Sequence, residues 1–234
     1  MTERGRSGVT VSCDRIRIGR SQATWSEGAL RLEIDEVAAP LPRRIRGQIT
    51  VHAETVNARV FPLEEAGRHW WRPLMPRAEV EVAMDSPAVR WRGAGYFDQN
   101  AGAEPLERGF SRWTWSRAAT PGGGATILYD AERRREQRLN LALRFGVGGG
   151  YESLPVPPEA SLARSRWRIA RQTRSDDGRA ELLRTFEDTP FYARSLVTHR
   201  LFGETVKSVH ESLSLDRFAN PVVRLMLPFR MPRR

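Results

Sequence analysis

Hydrophobic periodicity of two residues, repeated in one short segment after another, limits the folds open to this chain more than any other feature. Leu30, Leu32 and Ile34 alternate with Arg31, Glu33 and Asp35, and Val80, Val82 and Met84 alternate with Glu79, Glu81 and Ala83. Successive strand residues point to opposite faces, so such alternation makes one apolar and one wet face. The same pattern recurs at residues 9–18, 45–53, 126–130, 138–145, 166–174, 182–187 and 195–202. Turn signals at 26–28, 121–124, 146–150 and 176–178 separate these segments. Many short strands with such punctuation predict an all-β antiparallel sandwich or barrel.

Helix is scarce. The best stretch is residues 216–227, where Asp216 can cap and Phe218, Val222, Leu225 and Met226 form an apolar stripe. Pro221 and Pro228 hold it to a short C-terminal helix. The chain carries no G-x-G-x-x-G ahead of a helix, no Walker A, no H-E-x-x-H and no G-x-S-x-G. The glycines at 122–124 and 148–150 fall in hairpin-type loops, which argues against a phosphate cradle.

The net charge of +10 is almost entirely arginine, with Lys207 the single lysine. The arginines run from end to end and alternate with apolar residues, the pattern of solvated strand faces, so nucleic acid is not an expected partner. One cysteine, Cys13, excludes an internal disulfide and a cysteine-built metal site. No run approaches the ~20 apolar residues of a membrane span, and the first residues lack the apolar core of a signal peptide. A cytoplasmic protein is the expectation. The final R-L-M-L-P-F-R-M-P-R-R suits docking on the core first, and second a peripheral contact with an anionic membrane, where apolar groups insert and arginines meet headgroups.

The stretch V-R-W-R-G-A-G-Y-F-D-Q-N-A-G-A-E-P-L-E-R-G-F-S-R-W-T-W-S at 89–116 begins as a strand, breaks at 99–108 and resumes as an aromatic strand. That break is the expected domain boundary, giving one half at 1–105 and another at 106–234. Tyr96 and Asp98 share a strand face. An aspartate ahead of Gln99, Asn100 and a glycine also reads as a turn residue. Aromatic residues on strands are ordinarily core, which is the plain reading of Trp70, Trp71, Trp113 and Trp115. The plain readings of His69 as a satisfied polar group and of Glu187 and Asp188 as loop carboxylates also stand. His199 and His210 lack the spacing of a metal site.

Several stretches together resemble the carotenoid 1,2-hydratases, or hydroxyneurosporene synthases, of carotenoid-making bacteria. They are A-P-L-P-R-R-I-R-G at 39–47, G-R-H-W-W-R-P at 67–73, G-Y-F-D-Q-N-A-G-A-E-P-L-E at 95–107 and W-T-W-S-R at 113–117. L-R-T-F-E-D-T-P-F-Y-A-R-S-L-V at 183–197, H-E-S-L-S-L-D-R-F at 210–218 and L-P-F-R-M-P-R-R at 227–234 extend the likeness over essentially the whole chain. The resemblance implies two lipocalin-like β-barrel halves. It also implies a cofactor-free, metal-free enzyme that adds water to the terminal double bond of an acyclic carotenoid such as neurosporene or lycopene, alongside other carotenoid-pathway enzymes. M-T-E-R-G-R at 1–6 is similar to an interior stretch of longer members, so the first half is expected to be incomplete at its N-terminus.

The family's active-site residues fall on Trp71, Tyr96 and Asp98, with Trp70, His69, Asn100 and Phe97 as expected substrate contacts. Many relatives carry D-H-x-W-G where this chain has D-Q-N-A-G at 98–102, so the histidine and tryptophan roles of that motif do not transfer. The chemistry suits the residues that do match. An exposed aspartic acid, with a pKa near ~4, is ionised at neutral pH, whereas an apolar pocket favours the neutral, proton-donating form. Aromatic faces stabilise the resulting cation without trapping it, at about 2 kcal/mol for a desolvated contact, roughly thirtyfold in rate. A lipocalin-like carrier of a hydrophobic ligand is the competing reading.

Overall fold

The computed structural model describes residues 2–38, 41–225 and 231–233. As the alternation predicts, strands dominate and pair antiparallel almost throughout. The first are β1 (Thr2–Arg4), β2 (Val9–Val11), β3 (Arg15–Ile18), β4 (Ser21–Ser26), β5 (Ala29–Val37) and β6 (Arg44–Ala53). After the short β7 (Phe61–Pro62) come two long strands, β8 (His69–Ser86) and β9 (Ala88–Gly102). One helical turn, α1 (Leu106–Gly109), leads into β10 (Phe110–Ala119), β11 (Ala125–Arg133), β12 (Leu139–Phe145), β13 (Tyr151–Ser153), β14 (Glu159–Leu162) and β15 (Arg171–Arg174). Then follow β16 (Ala180–Asp188), β17 (Tyr192–Leu201), β18 (Glu204–Ser214), the helices α2 (Leu215–Ala219) and α3 (Pro221–Leu225), and β19 (Met231–Arg233), which lies parallel to β1.

The chain divides into two compact units, neither of them one continuous stretch. One comprises Met1–Val56, Met75–Phe97 and Leu225–Arg234, the other Asn57–Leu74 and Asp98–Arg224. Residues 57–74, and 98–105 with them, cluster with the C-terminal strands rather than with the N-terminal ones.

In the first unit β2 to β6 form a meander onto which β8 adds. Cross-strand rows such as Leu32, Ile49 and Val82 give the sheet one apolar side, and Arg31, Glu33, Glu79 and Glu81 populate the other. Burial on the apolar side is shallow towards the edge, where Val11 is 67% and Ile16 46% exposed. Glu27 and Gly28 both take positive φ between paired Ser26 and Ala29, the two-residue hairpin geometry that follows the natural strand twist.

The second unit is built on a seven-stranded sheet ordered β13-β12-β11-β10-β18-β17-β16, with β14 and β15 pairing separately. One face carries the apolar cluster Ala118, Leu128, Ala142, Leu201 and Val206. The same face holds fully enclosed polar groups at Ser116, Ser195, Ser208, His210 and Ser212. Buried hydroxyls and imidazoles are tolerable only when partnered. His210 Nδ1 lies 2.7 Å from Ser116 Oγ and its Nε2 3.0 Å from Ser212 Oγ. His199 Nδ1 donates to the Arg174 carbonyl, which leaves its Nε2 to accept from Ser208 Oγ at 2.6 Å. The opposite face is aromatic, with Trp115 paired to Tyr129 on one side and to Glu211 on the other.

Three expectations are corrected. Residues 99–102 continue β9 rather than forming a loop, so Asp98 sits on a strand and not in a turn. Backbone pairing explains this: Ala103 N donates to Arg68 O at 2.8 Å and keeps the chain alongside β8. Residues 166–170 turn back through Arg168, at positive φ, before β15 begins. The C-terminal helix is two short pieces, and Ser214 rather than Asp216 caps the first by accepting from Arg217 N. The stretch 226–230, where that helix and the basic tail were expected to continue, lies outside the described residues.

Candidate active site

Apart from Met75, Tyr96 and Phe97, the residues that follow lie in the second unit. Alternation along β8 turns His69, Trp71, Pro73 and Met75 inward and leaves Trp70 and Arg72 half-buried on the other side, where the Arg72 guanidinium lies 5.7 Å from the Trp70 ring centroid. Trp71 has no exposed surface. Its indole is 5.4 Å from the ring of Phe61, its partner on β7, and 5.1 Å from Tyr129 on β11. Trp113 lies 6.2 Å from Tyr129, and Tyr151 extends the aromatic wall at 5.4 Å from Phe61. These spacings are those of favourable tilted and edge-on pairs.

Asp98 projects into this wall. Asp98 Oδ2 accepts a hydrogen bond from Trp71 Nε1 at 2.8 Å. An indole N–H is a donor only, so it needs an acceptor once buried, and here it fixes one carboxyl oxygen of Asp98. Asn100 follows on the same face of β9 at an exposed position, and its Oδ1 accepts from Tyr129 Oη at 3.5 Å. Burial pushes the Tyr129 phenol well above its ordinary range, with the Asp98 and Glu211 carboxyls adding to the effect. The phenol therefore keeps its proton at any biological pH.

His69 is enclosed by Phe110, Gly102 and Gly109. Its Nδ1 is 2.8 Å from Glu64 Oε1 and its Nε2 2.9 Å from the Glu104 carbonyl. A side chain at Gly102 would stand 2.3 Å from the His69 ring, which explains a glycine there. Glu64, His69 and Glu104 offer ligand atoms within 4.8 Å of one another, the one grouping among the described residues that a cation could use. Both carboxylates already face the Arg68 guanidinium, which with His69 holds Glu64 down at about 2, chiefly through the Arg68 hydrogen bond. Tyr96 and Phe97 are half-buried and fall in the first unit.

Of the residues singled out from sequence, Trp71, Asp98 and Asn100 come together here, with His69 two residues before Trp71 on the same inward face. Trp70 points away. Sequence reasoning missed Tyr129, Phe61 and Tyr151. Tyr129 lies within a correctly placed strand, but only cross-strand register brings it against Trp71.

An all-β, lipocalin-like protein with a carboxyl group anchored among aromatic rings is the class that fold and site define. A model of the carotenoid hydratase CrtC family matches residues 1–234, and the chain belongs to that family. It is 53% identical over 235 residues to an acyclic carotenoid 1,2-hydratase of Thiocapsa roseopersicina, covering all of this chain and 58% of that protein. An enzyme of the same description from Rubrivivax gelatinosus is 44% identical over 235 residues, again with all of this chain and 58% of the relative covered. One from Cereibacter sphaeroides is 39% identical over 236 residues, covering 100% of this chain and 84% of that one. The chain thus spans little more than half the length of the first two relatives. Among solved structures, an AttH-type protein of Nitrosomonas europaea aligns with a TM-score of 0.55 at 12% identity, over 88% of this chain and 71% of that one. That likeness shows the fold alone.

Proposed function

We propose that this chain hydrates the terminal 1,2 double bond of acyclic carotenoids such as neurosporene or lycopene. The observation that carries the proposal is the Asp98 carboxyl, held by the Trp71 indole within an aromatic wall. In the reaction, the alkene π pair takes the Asp98 proton at the less substituted carbon, and the O–H bond breaks to leave carboxylate. A tertiary cation forms at the neighbouring carbon. A water lone pair then makes the C–O bond, and the oxonium proton returns to Asp98, so the acid is restored and one water has been added. The sequence calls for a proton donor and water but no redox step, which is why we propose a reaction without cofactor.

The rings of Trp71, Tyr129 and Phe61 supply negative quadrupole faces to the cation. Tyr96 shares the Asp98 face of β9 by alternation and is proposed as a further aromatic contact, with Phe97, Trp70, His69 and Asn100 shaping the approach of the polyene. Apolar rings also favour the neutral form of an acid facing them, so the environment that dissolves the substrate is the one that arms the donor.

Among the described residues no helix is long and apolar enough to cross a membrane. Because the substrate dissolves in lipid, we further propose peripheral contact with an anionic bilayer, supported by the half-exposed apolar side of the first unit and the basic, apolar C-terminal sequence. Co-sedimentation with anionic vesicles at low salt tests it, and absence of binding rejects it. The catalytic proposal is tested with purified protein and lycopene by looking for a product heavier by one water. Asp98→Asn is expected to abolish that product while preserving cooperative melting. Full turnover by this variant would remove Asp98 from the mechanism, and binding without product in the wild type would favour a carrier.

A further inference from the structure

Hydration needs more than a proton donor. The tertiary cation has two fates, capture by water or loss of a proton back to alkene, and an enzyme makes alcohol only if a water is already in place. A held water needs two to four polar partners. Tyr129 Oη meets Asn100 Oδ1 only at 3.5 Å, the outer edge of hydrogen-bond range, although Tyr129 is 2% exposed. A buried hydroxyl with so weak a partner is costly unless something else completes its bonding. Asp98 and Asn100 are successive residues on one face of β9, and both Asp98 and Tyr129 lie against the Trp71 indole.

We propose that Tyr129 is a second catalytic residue, holding the nucleophilic water together with Asn100. The phenol donates to or accepts from that water and passes no net charge. The oxonium proton formed on capture goes to the Asp98 carboxylate, as in the overall reaction. This assignment rests on the proposed hydration at Asp98.

The two fates of the cation can be counted separately. In heavy water Asp98 delivers deuterium to the alkene carbon. Reversal then returns a substrate labelled at that carbon, while capture yields labelled alcohol. Tyr129→Phe keeps the ring against Trp71 and removes only the hydroxyl. With lycopene in detergent, hydration by this variant should fall by about tenfold or more, the equivalent of one oriented hydrogen bond. The ratio of exchanged substrate to alcohol should rise by a similar factor, because protonation is untouched. An unchanged ratio overturns the proposal, whether or not the total rate falls, since loss of packing alone would slow both fates together. If Tyr129→Phe does not melt cooperatively, the ratio in Asn100→Ala, at an exposed position, decides by the same criterion. Asp98→Asn serves as the control on the underlying reading: it should lose exchange and hydration alike, and retention of both would overturn the site rather than the role of Tyr129.

Discussion

The enclosed imidazole of His210 makes stability depend on pH in a calculable way. The ring has no exposed surface and lies within hydrogen-bond distance of Ser116 and Ser212. Burial, with the nearby His199 and the Arg171 guanidinium adding to it, pushes its pKa from 6.5 down to about 3. In the unfolded chain the same group titrates at its ordinary value. Between these two values the unfolded state binds more protons than the folded one, so stability falls as pH falls through that window and is unaffected above it. The cost approaches about 1.4 kcal/mol per pH unit within the window, hence about 2 kcal/mol from pH 6.5 to 4.5 and about 4 kcal/mol by pH 3. His199, lowered by burial too, adds in the same direction. Glu64, held at about 2 against an ordinary 4.5, contributes mainly below that ordinary value, and the comparison with a His210 variant separates His210 from the other groups. Urea unfolding of wild type and His210→Gln between about pH 7 and 4.5 should show a shallower pH slope in the variant, by a difference approaching about 1.4 kcal/mol per unit. Equal slopes would mean that His210 is not buried neutral, and the reasoning would fail.

Two further substitutions probe the site's frame. Trp71→Phe keeps an aromatic ring but deletes the N–H that fixes Asp98, and should lower turnover about tenfold or more while costing roughly 1–3 kcal/mol of stability, read by product mass and by melting; unchanged turnover would show that the indole does not orient the acid. Gly102→Ala would bring Cβ to 2.3 Å from the His69 ring and 3.0 Å from the Arg68 carbonyl. Overpacking of this kind costs roughly 1–3 kcal/mol, a fall in Tm of about 2–12 °C for a chain of this size, and an unaltered Tm would mean that β9 yields freely there.

Much of the architecture was legible because its cause is local. The alternation at Leu30 to Asp35 or Val80 to Met84 reports strand and face together, and Gly28, Gly124, Gly150 and Gly178 mark where strands turn. Position 99–102 was misread because Gln, Asn, Ala and Gly favour turns in isolation, whereas pairing with β8 and the His69 ring overrode that preference. The tail helix was misjudged at Asp216 because two residues, Ser214 and Asp216 on either side of Leu215, both suit a cap and only the backbone path selects the first. At the site, Trp71 and Asp98 were singled out through family motifs, and Tyr129 was not, since nothing in I-L-Y-D sets it apart from an ordinary core tyrosine.

By itself, the sequence determined the all-β class, the strand faces, most turns and the family to which the chain belongs, all properties carried by neighbouring residues or by motif wording. Tertiary structure alone decided that residues 57–74 and 98–105 join the C-terminal strands. It alone set the Trp71 indole 2.8 Å from Asp98 and 5.1 Å from Tyr129. It also enclosed two histidines among serines. The reason is one of range: alternation says which face a side chain takes, but only register and the path of the backbone between distant strands say what stands opposite it.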